Sequence, residues 1–233
     1  ERIDRDQLAA EFVRRFRVDT ERGYGAMAYW LLWQLSLGRP WQEVSPEVFS
    51  GQGSLGNGAA MRSAPVGAYF ADDLDRVVKE ARDSAVVTHS HEDGQAGAIA
   101  VAVATALLCR SPVSLTQRRG ARFLETVSSH TPSSETRGGI ERAVELIDTS
   151  VEDAAHELGD GSLVRSSDTV PLALWCVAHH PRDYEAACWL TLETVLGPDA
   201  DRDTILAIVG GIVGAVSAPP ELWISRREPL HEM

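Results

Sequence analysis

The sequence has only three cysteines in 233 residues, Cys109, Cys176 and Cys188, and no Cys-x-x-Cys pair. That excludes a disulfide framework and a cysteine-built zinc site, and it fits a reduced, cytoplasmic setting. Basic residues are also short: 22 Lys and Arg stand against 34 Asp and Glu, a net charge of −12. A nucleic-acid duplex or an anionic membrane needs a basic face to displace counterions, so neither is an expected partner. The two longest apolar runs, residues 96–109 and 205–216, fall short of the roughly 20 residues that cross a bilayer. Residues 1–17 mix both charge signs, unlike a secretory signal peptide. Nowhere do several short alternating segments follow one another with turn residues between them, so a β-rich fold is not expected.

What the chain does have is apolar residues, 44% of the total, spaced at the helical period. Leu8, Ala9, Phe12, Val13 and Phe16 mark a first helix, with Asp4 or Asp6 near its start. A dense apolar helix spans 26–37, with Gly38 placed for a left-handed cap and Pro40 beyond it. Residues 74–87 form an amphipathic helix that Asp72 or Asp73 can cap. Residues 94–110 are a helix of Ala, Gly, Val and Ile, which lets neighbouring backbones come close. Further helices are expected at 115–128, 135–149, 171–179 (with Pro171 in the first turn), 184–194 and 204–216. Polar loops are expected at 111–114, 129–134 and 159–167. The pattern predicts one compact all-α domain over residues 1–233, with about ten helices and its chemistry on the loops.

Three segments carry that chemistry. The first is Gly51, Gln52, Gly53, Ser54, Leu55, Gly56, Asn57 and Gly58, followed by Ala-Ala-Met-Arg62. Four glycines in eight residues can expose consecutive N–H groups as an anion nest, with Gly56 expected at positive φ, or can be a flexible connection. The segment is neither a Walker loop nor a dinucleotide fingerprint. The second is Thr88-His89-Ser90-His91-Glu92-Asp93, which suits metal or acid–base work. A capped helix junction, with Ser90 or Asp93 as the cap, explains it more simply. His179 and His180 invite the same metal reading, and Pro181 marks an ordinary helix end there. The third is Asp199, Asp201, Asp203 and Thr204 ahead of a small apolar helix. Hard-cation binding and helix capping explain it equally well.

Taken together, Gly-Asn-Gly-Ala-Ala-Met-Arg (56–62), Thr88-His89 with its Ala/Gly/Val helix, and Asp-Arg-Asp-Thr-x-x-Ala-Ile-Val-Gly-Gly (201–211) resemble the ADP-ribosylglycohydrolase family. That family includes the dinitrogenase reductase-activating glycohydrolase. The stretches 168–175 and 226–230 share the likeness, which runs over nearly the whole chain. The resemblance implies an all-α fold of that type and a binuclear Mg2+ or Mn2+ centre that grips the distal ribose of ADP-ribose. It implies that Asp201, Asp203 and Thr204 are metal ligands and that Asp201 and Asp203 serve catalysis. It places the phosphates on Gln52, Gly53, Ser54, Leu55, Gly56, Asn57 and Gly58, and His89 at the substrate cleft. His91 has no counterpart and is read as structural.

Arg202 departs from the family pattern between the two aspartates and is expected to point away. Asp199-Ala200 replaces the usual Gly-Gly, and Asp199 is a candidate for an outer position. The family's Gly-Asp-x-x-Gly and Thr-Asp-Asp-Thr motifs are not in the sequence, and residues 1–16 look like the helix that follows the second. The chain is therefore expected to begin just after that motif, to bind one metal weakly and to turn over little on its own. The implied reaction is hydrolysis, at C1 of the distal ribose, of the N- or O-glycosidic bond to a modified target. The alternative is a non-catalytic ADP-ribose binder or a structural relative. A monomer is expected.

Overall fold

The computed structural model describes residues 2–110, 117–195 and 197–229. Among them are thirteen α-helices, one 3-10 turn and no strand. The helices are α1 (Arg5–Val18), α2 (Ala26–Ser36), α3 (Trp41–Gly51), α4 (Ala64–Tyr69), α5 (Leu74–Val86), α6 (Glu92–Arg110) and α7 (Gln117–His130). Then come α8 (Glu135–Glu145), α9 (Val151–Leu158), α10 (Ser166–His179), α11 (Tyr184–Thr194), α12 (Arg202–Gly214) and α13 (Glu221–Arg226). The 3-10 turn covers Ala60–Arg62.

Short polar side chains start the helices. Asp4 accepts hydrogen bonds from the N–H groups of Asp6 and Gln7, and Asp73 accepts one from Arg76. Ser134, Ser150 and Asp183 cap α8, α9 and α11 in the same way, each satisfying a donor that the helix itself cannot. Gly38 follows α2 at φ +88°, the left-handed position that its place in the sequence suggested.

Several boundaries differ from the sequence expectation. Pro171 is not in a first turn: α10 begins at Ser166, and the proline is its sixth residue. The missing N–H breaks one rung of the helix, and the ring packs where α8 offers only Gly139, whose added Cβ would lie 2.5 Å from the proline Cγ. The loop expected at 159–167 accordingly ends two residues earlier. Helix α8 stops at Glu145, not at residue 149. Neither Ser90 nor Asp93 caps α6, which starts at Glu92. Asp93 instead accepts from the Thr136 N–H at 2.9 Å and ties α8 to α6, while Ser90 Oγ donates to the Ser45 carbonyl. The loop expected at 111–114 and the first two residues of the helix expected at 115–128 lie outside the described residues.

Helix α6 runs through the centre, packed by α4, α5, α7, α8, α10 and α12. By length and composition it is apolar enough to cross a membrane. Its residues from Ala96 to Ala106 are all buried among the other helices, which makes it a core helix. The large core gathers Ile99, Leu124, Ile140, Leu172, Trp175, Ile205, Ile208 and Ile212. Each such side chain contributes about 1.5–3 kcal/mol by leaving water. A smaller cluster of Phe16, Leu31, Leu32, Leu35, Val44 and Val48 forms within α1–α3.

Candidate functional site

The glycine-rich segment leaves α3 through an unusual turn. Phe49 and Ser50 take φ +53° and +59°, and Gly51 and Gly53 follow at +91° and +75°. Gly53 must be glycine for two reasons, since a Cβ there would also strike Ser90 Oγ and lie 2.8 Å from the His91 nitrogen. Gly56 is not at positive φ, contrary to the sequence expectation. Its tightness is steric: a Cβ would meet Ser54 Oγ at 3.3 Å and the Val164 carbonyl at 3.4 Å.

Nor is the segment a run of free amides. The Gly53 N–H donates to the Val48 carbonyl at 2.9 Å, Gly56 to Ser54 Oγ at 3.3 Å, and Asn57 to the Val164 carbonyl at 3.2 Å. The backbone N–H groups of Ser54, Leu55 and Gly58 have no acceptor among the described residues. The segment is fixed rather than flexible, because Gly56 pairs with Arg165 in an isolated antiparallel bridge. Ser166 adds a backbone bond to the Leu55 carbonyl and a hydroxyl bond to the Gly56 carbonyl, both 3.0 Å. The partner loop before α10 is itself shaped by Gly159 and Gly161 at positive φ and by Val164 at φ +56°.

His89 lies under this loop. A Cβ at Gly58 would stand 3.3 Å from its Nε2, and one at Gly94 would stand 3.1 Å from its Cβ. Its Nδ1 is 2.7 Å from Thr88 Oγ1. Burial, together with the neighbouring Arg62 charge, lowers the imidazole to about 3, so the ring is neutral at neutral pH. Arg62 donates to the Gly58 carbonyl, the Ser84 carbonyl and Thr88 Oγ1 at 3.0–3.1 Å, and its guanidinium stacks on Phe12. No carboxylate forms an ion pair with it among the described residues, and its Nε is buried without a partner. Burial alone pulls its pKa down to about 10, which leaves it charged.

The third segment closes the site from the other end of the chain. Asn57 Nδ2 donates to Asp201 Oδ2 at 2.7 Å and to Thr169 Oγ1 at 3.0 Å. Asp201 also caps α12, its Oδ1 accepting from the Thr204 N–H at 3.3 Å. Thr204 is buried, whereas Asp203 and Asp199 are exposed. Among the described residues no hydrogen bond engages the Asp203 carboxylate or the Thr204 hydroxyl. Arg202 turns away, donating to the Val195 and Gly197 carbonyls at 2.8 and 2.7 Å. Around Asp201 stand two acidic residues that sequence reasoning did not assign. The Asp160 carbonyl accepts from the Asp201 N–H, and the Asp168 carboxylate accepts from the Leu163 N–H. Burial first, and then the charges of Asp160 and Asp201, push the Asp168 carboxyl up. Asp160 carried no distinctive spacing, and Arg62 and Asp168 stood only inside stretches that carry the family likeness, with no role assigned; the fold brings all three in.

The structure thus joins the glycine segment, His89 and Asp201 in one place. It leaves out His91, whose Nδ1 accepts from the Asp93 N–H, and His179, whose ring nitrogens face the Trp175 and Ile147 carbonyls. Among the described residues no three His, Cys, Asp or Glu side chains gather closely enough to hold a metal by themselves. Asp201, Asp203 and Thr204 supply only oxygen donors, which is the chemistry of a hard divalent cation, and two of the three are uncommitted. A groove of about 770 Å³ lies elsewhere, between α1 and the α2–α3 junction, and none of the residues singled out lines it.

An all-α protein whose site is made from a glycine-rich loop, a half-buried histidine and an acidic helix start defines the class. The sequence model of the ADP-ribosylglycohydrolase family matches residues 1–232, and the chain belongs to that family. It is 29% identical over 264 residues to ADP-ribosylhydrolase ARH3 of Mus musculus, covering 100% of this chain and 69% of the relative. The Homo sapiens ARH3 is 28% identical over 255 residues, covering 96% and 68%. A protein of Archaeoglobus fulgidus is 34% identical over 180 residues, covering 76% and 55%. The chain therefore spans about two thirds of the length of the two ARH3 relatives.

Proposed function

We propose that the protein binds the ADP-ribosyl group of a modified target between the 51–58 loop, His89 and the start of α12, and hydrolyses its glycosidic bond at the distal ribose C1. The observation that carries the reading is Arg62. A half-buried cation whose Nε is sealed from solvent, with no carboxylate partner among the described residues, is unfavourable unless an anion arrives, and this one is hydrogen-bonded to the carbonyl of Gly58, at the end of the loop. The diphosphate of ADP-ribose is such an anion. The free N–H groups of Ser54, Leu55 and Gly58 would hold its oxygens.

Asp201 is braced by Asn57 and by its own helix cap, so its carboxylate keeps one orientation. Asp203 is free to take the proton of an attacking water while the acceptor leaves with the bond's electron pair and gains a proton. Asp201, Asp203 and Thr204 would hold Mg2+ or Mn2+. When bound, such an ion supplies Lewis-acid stabilisation and orients the ribose hydroxyls.

Calorimetry with ADP-ribose and a turnover assay on an ADP-ribosylated peptide, both in Mg2+ or Mn2+, test the proposal. ADP-ribose is expected to bind the parent and Asp203→Asn alike, while turnover falls at least about a hundredfold in the variant. Binding without turnover in the parent would make the chain a non-catalytic ADP-ribose binder. No binding at millimolar ADP-ribose would overturn the reading altogether.

A further inference from the structure

Arg62, Thr88 and His89 form a chain of hydrogen bonds whose direction can be worked out. A guanidinium only donates, so the 3.0 Å contact makes Thr88 Oγ1 an acceptor from Arg62. The hydroxyl has one proton of its own to place. The Ala85 carbonyl lies at 3.5 Å, too far for a good bond, and His89 Nδ1 lies at 2.7 Å. Nδ1 gives that proton much the shorter bond, and with the proton placed there Nδ1 is the acceptor. A neutral imidazole that accepts at Nδ1 carries its own hydrogen on Nε2. That nitrogen has no hydrogen-bond partner among the described residues and is not sealed from solvent, unlike Arg62 Nε. It faces Gly56 and Gly58, where a Cβ would stand 3.7 and 3.3 Å away.

We infer that Arg62 and Thr88 are positioning residues that lock His89 as an Nε2–H donor under the 51–58 loop, where it hydrogen-bonds an anionic phosphate oxygen of the ligand. The inference rests on the ADP-ribose reading for its ligand, but not for its tautomer. A donor on Nε2 cannot act as a general base, nor can it ligate a metal through that nitrogen. The depressed basicity of the ring agrees with this, since a neutral donor keeps its role over the whole physiological pH range.

Nitrogen-15 NMR of histidine-labelled protein reads the tautomer directly. In the parent, the protonated ring nitrogen of His89 is expected to couple to both carbon-bound ring protons, which identifies it as Nε2. Thr88→Val, which keeps the volume and removes the hydroxyl, should shift His89 toward the other tautomer or a mixture, and Thr88→Ser should restore the parent pattern. ADP-ribose affinity should fall about tenfold in Thr88→Val and stay within about twofold of the parent in Thr88→Ser. A protonated Nδ1 in the parent, or an unchanged pattern in folded Thr88→Val, would overturn the lock. An unchanged affinity in Thr88→Val with a shifted tautomer would overturn the contact with phosphate. If the parent fails to bind ADP-ribose at all, the ligand reading fails, while the NMR result still decides the tautomer.

Discussion

Ser50 is held at φ +59° and ψ +37°, a conformation that costs an L-residue about 1–2 kcal/mol. Its side chain is exposed and makes no hydrogen bond among the described residues. Ser50→Gly removes the steric cost and adds unfolded-state entropy, so the net expectation is a gain of about 0.5–1 kcal/mol in chemical denaturation. A loss of stability would show that the turn leaving α3 is not strained. Residues at this scale were legible only where chemistry leaves a local mark. Asp73 reads as a cap because a short carboxylate stands just before an apolar run, whereas at Asp201 capping and cation binding explain the residues equally well and the fold shows the cap. Gly56 was misjudged because composition reports that glycine is needed, but not whether φ or space requires it. Arg62 was visible as a letter in a motif. Its lack of a carboxylate partner among the described residues is a property of three segments packed together.

Helices that bury one face are written plainly in the apolar spacing, and α1, α2, α5, α6, α11 and α12 stand within a few residues of where that spacing puts them. The helices that spacing missed have local reasons to hide. Pro46 interrupts α3, and the tail of α3 leaves helical geometry at Val48. Helix α4 is six residues long and opens on Pro65. Its place is set by close approach to α6 instead of by an apolar stripe. A Cβ on Gly67 would run into the Ala102 carbonyl of α6, a backbone atom in the middle of a buried helix that cannot step aside. Gly67→Ala is therefore expected to destabilise the protein by about 1–3 kcal/mol, although alanine is the better helix former. Equal or higher stability in a denaturation curve would mean that α4 can slide along α6. The same element sets the 3-10 turn that carries Arg62, so this variant should also weaken ADP-ribose binding.

Two main clusters of apolar side chains, with a third of only Ala59, Ala85 and Ala98, share the described residues unequally. The smaller main cluster, within α1–α3, meets the rest through the Arg62–Phe12 stack, through Ile3 just ahead of α1, which packs on the large core, and through a few polar ties. The Ile3 N–H donates to Glu80 at 2.6 Å, Arg5 pairs with Asp83, and Ser45 Oγ donates to the Val86 carbonyl at 2.8 Å. Asp83 is the pivot, because Lys79 bonds it as well. Burial alone would push its carboxyl up, but the bonds from Lys79 and Arg5 prevail and hold it below the usual range. Units joined to a core by few apolar contacts open at lower free energy than the core itself. Native-state hydrogen exchange should therefore find α1–α3 opening before α6, α10 and α12. Asp83→Ala should lower protection across α1–α3 and leave the amides at the centre of α6 unchanged. The consequence reaches the site, since the Gly53 N–H is anchored on the Val48 carbonyl at the end of α3. If the 51–58 loop holds the ligand as proposed, a molecule in which that loop hangs from the part that opens first should bind ligand more weakly whenever that part opens. ADP-ribose should accordingly restore most of the protection that Asp83→Ala removes. Uniform loss of protection in the variant, reaching α6 as strongly as α1, would show instead that the two clusters unfold as one.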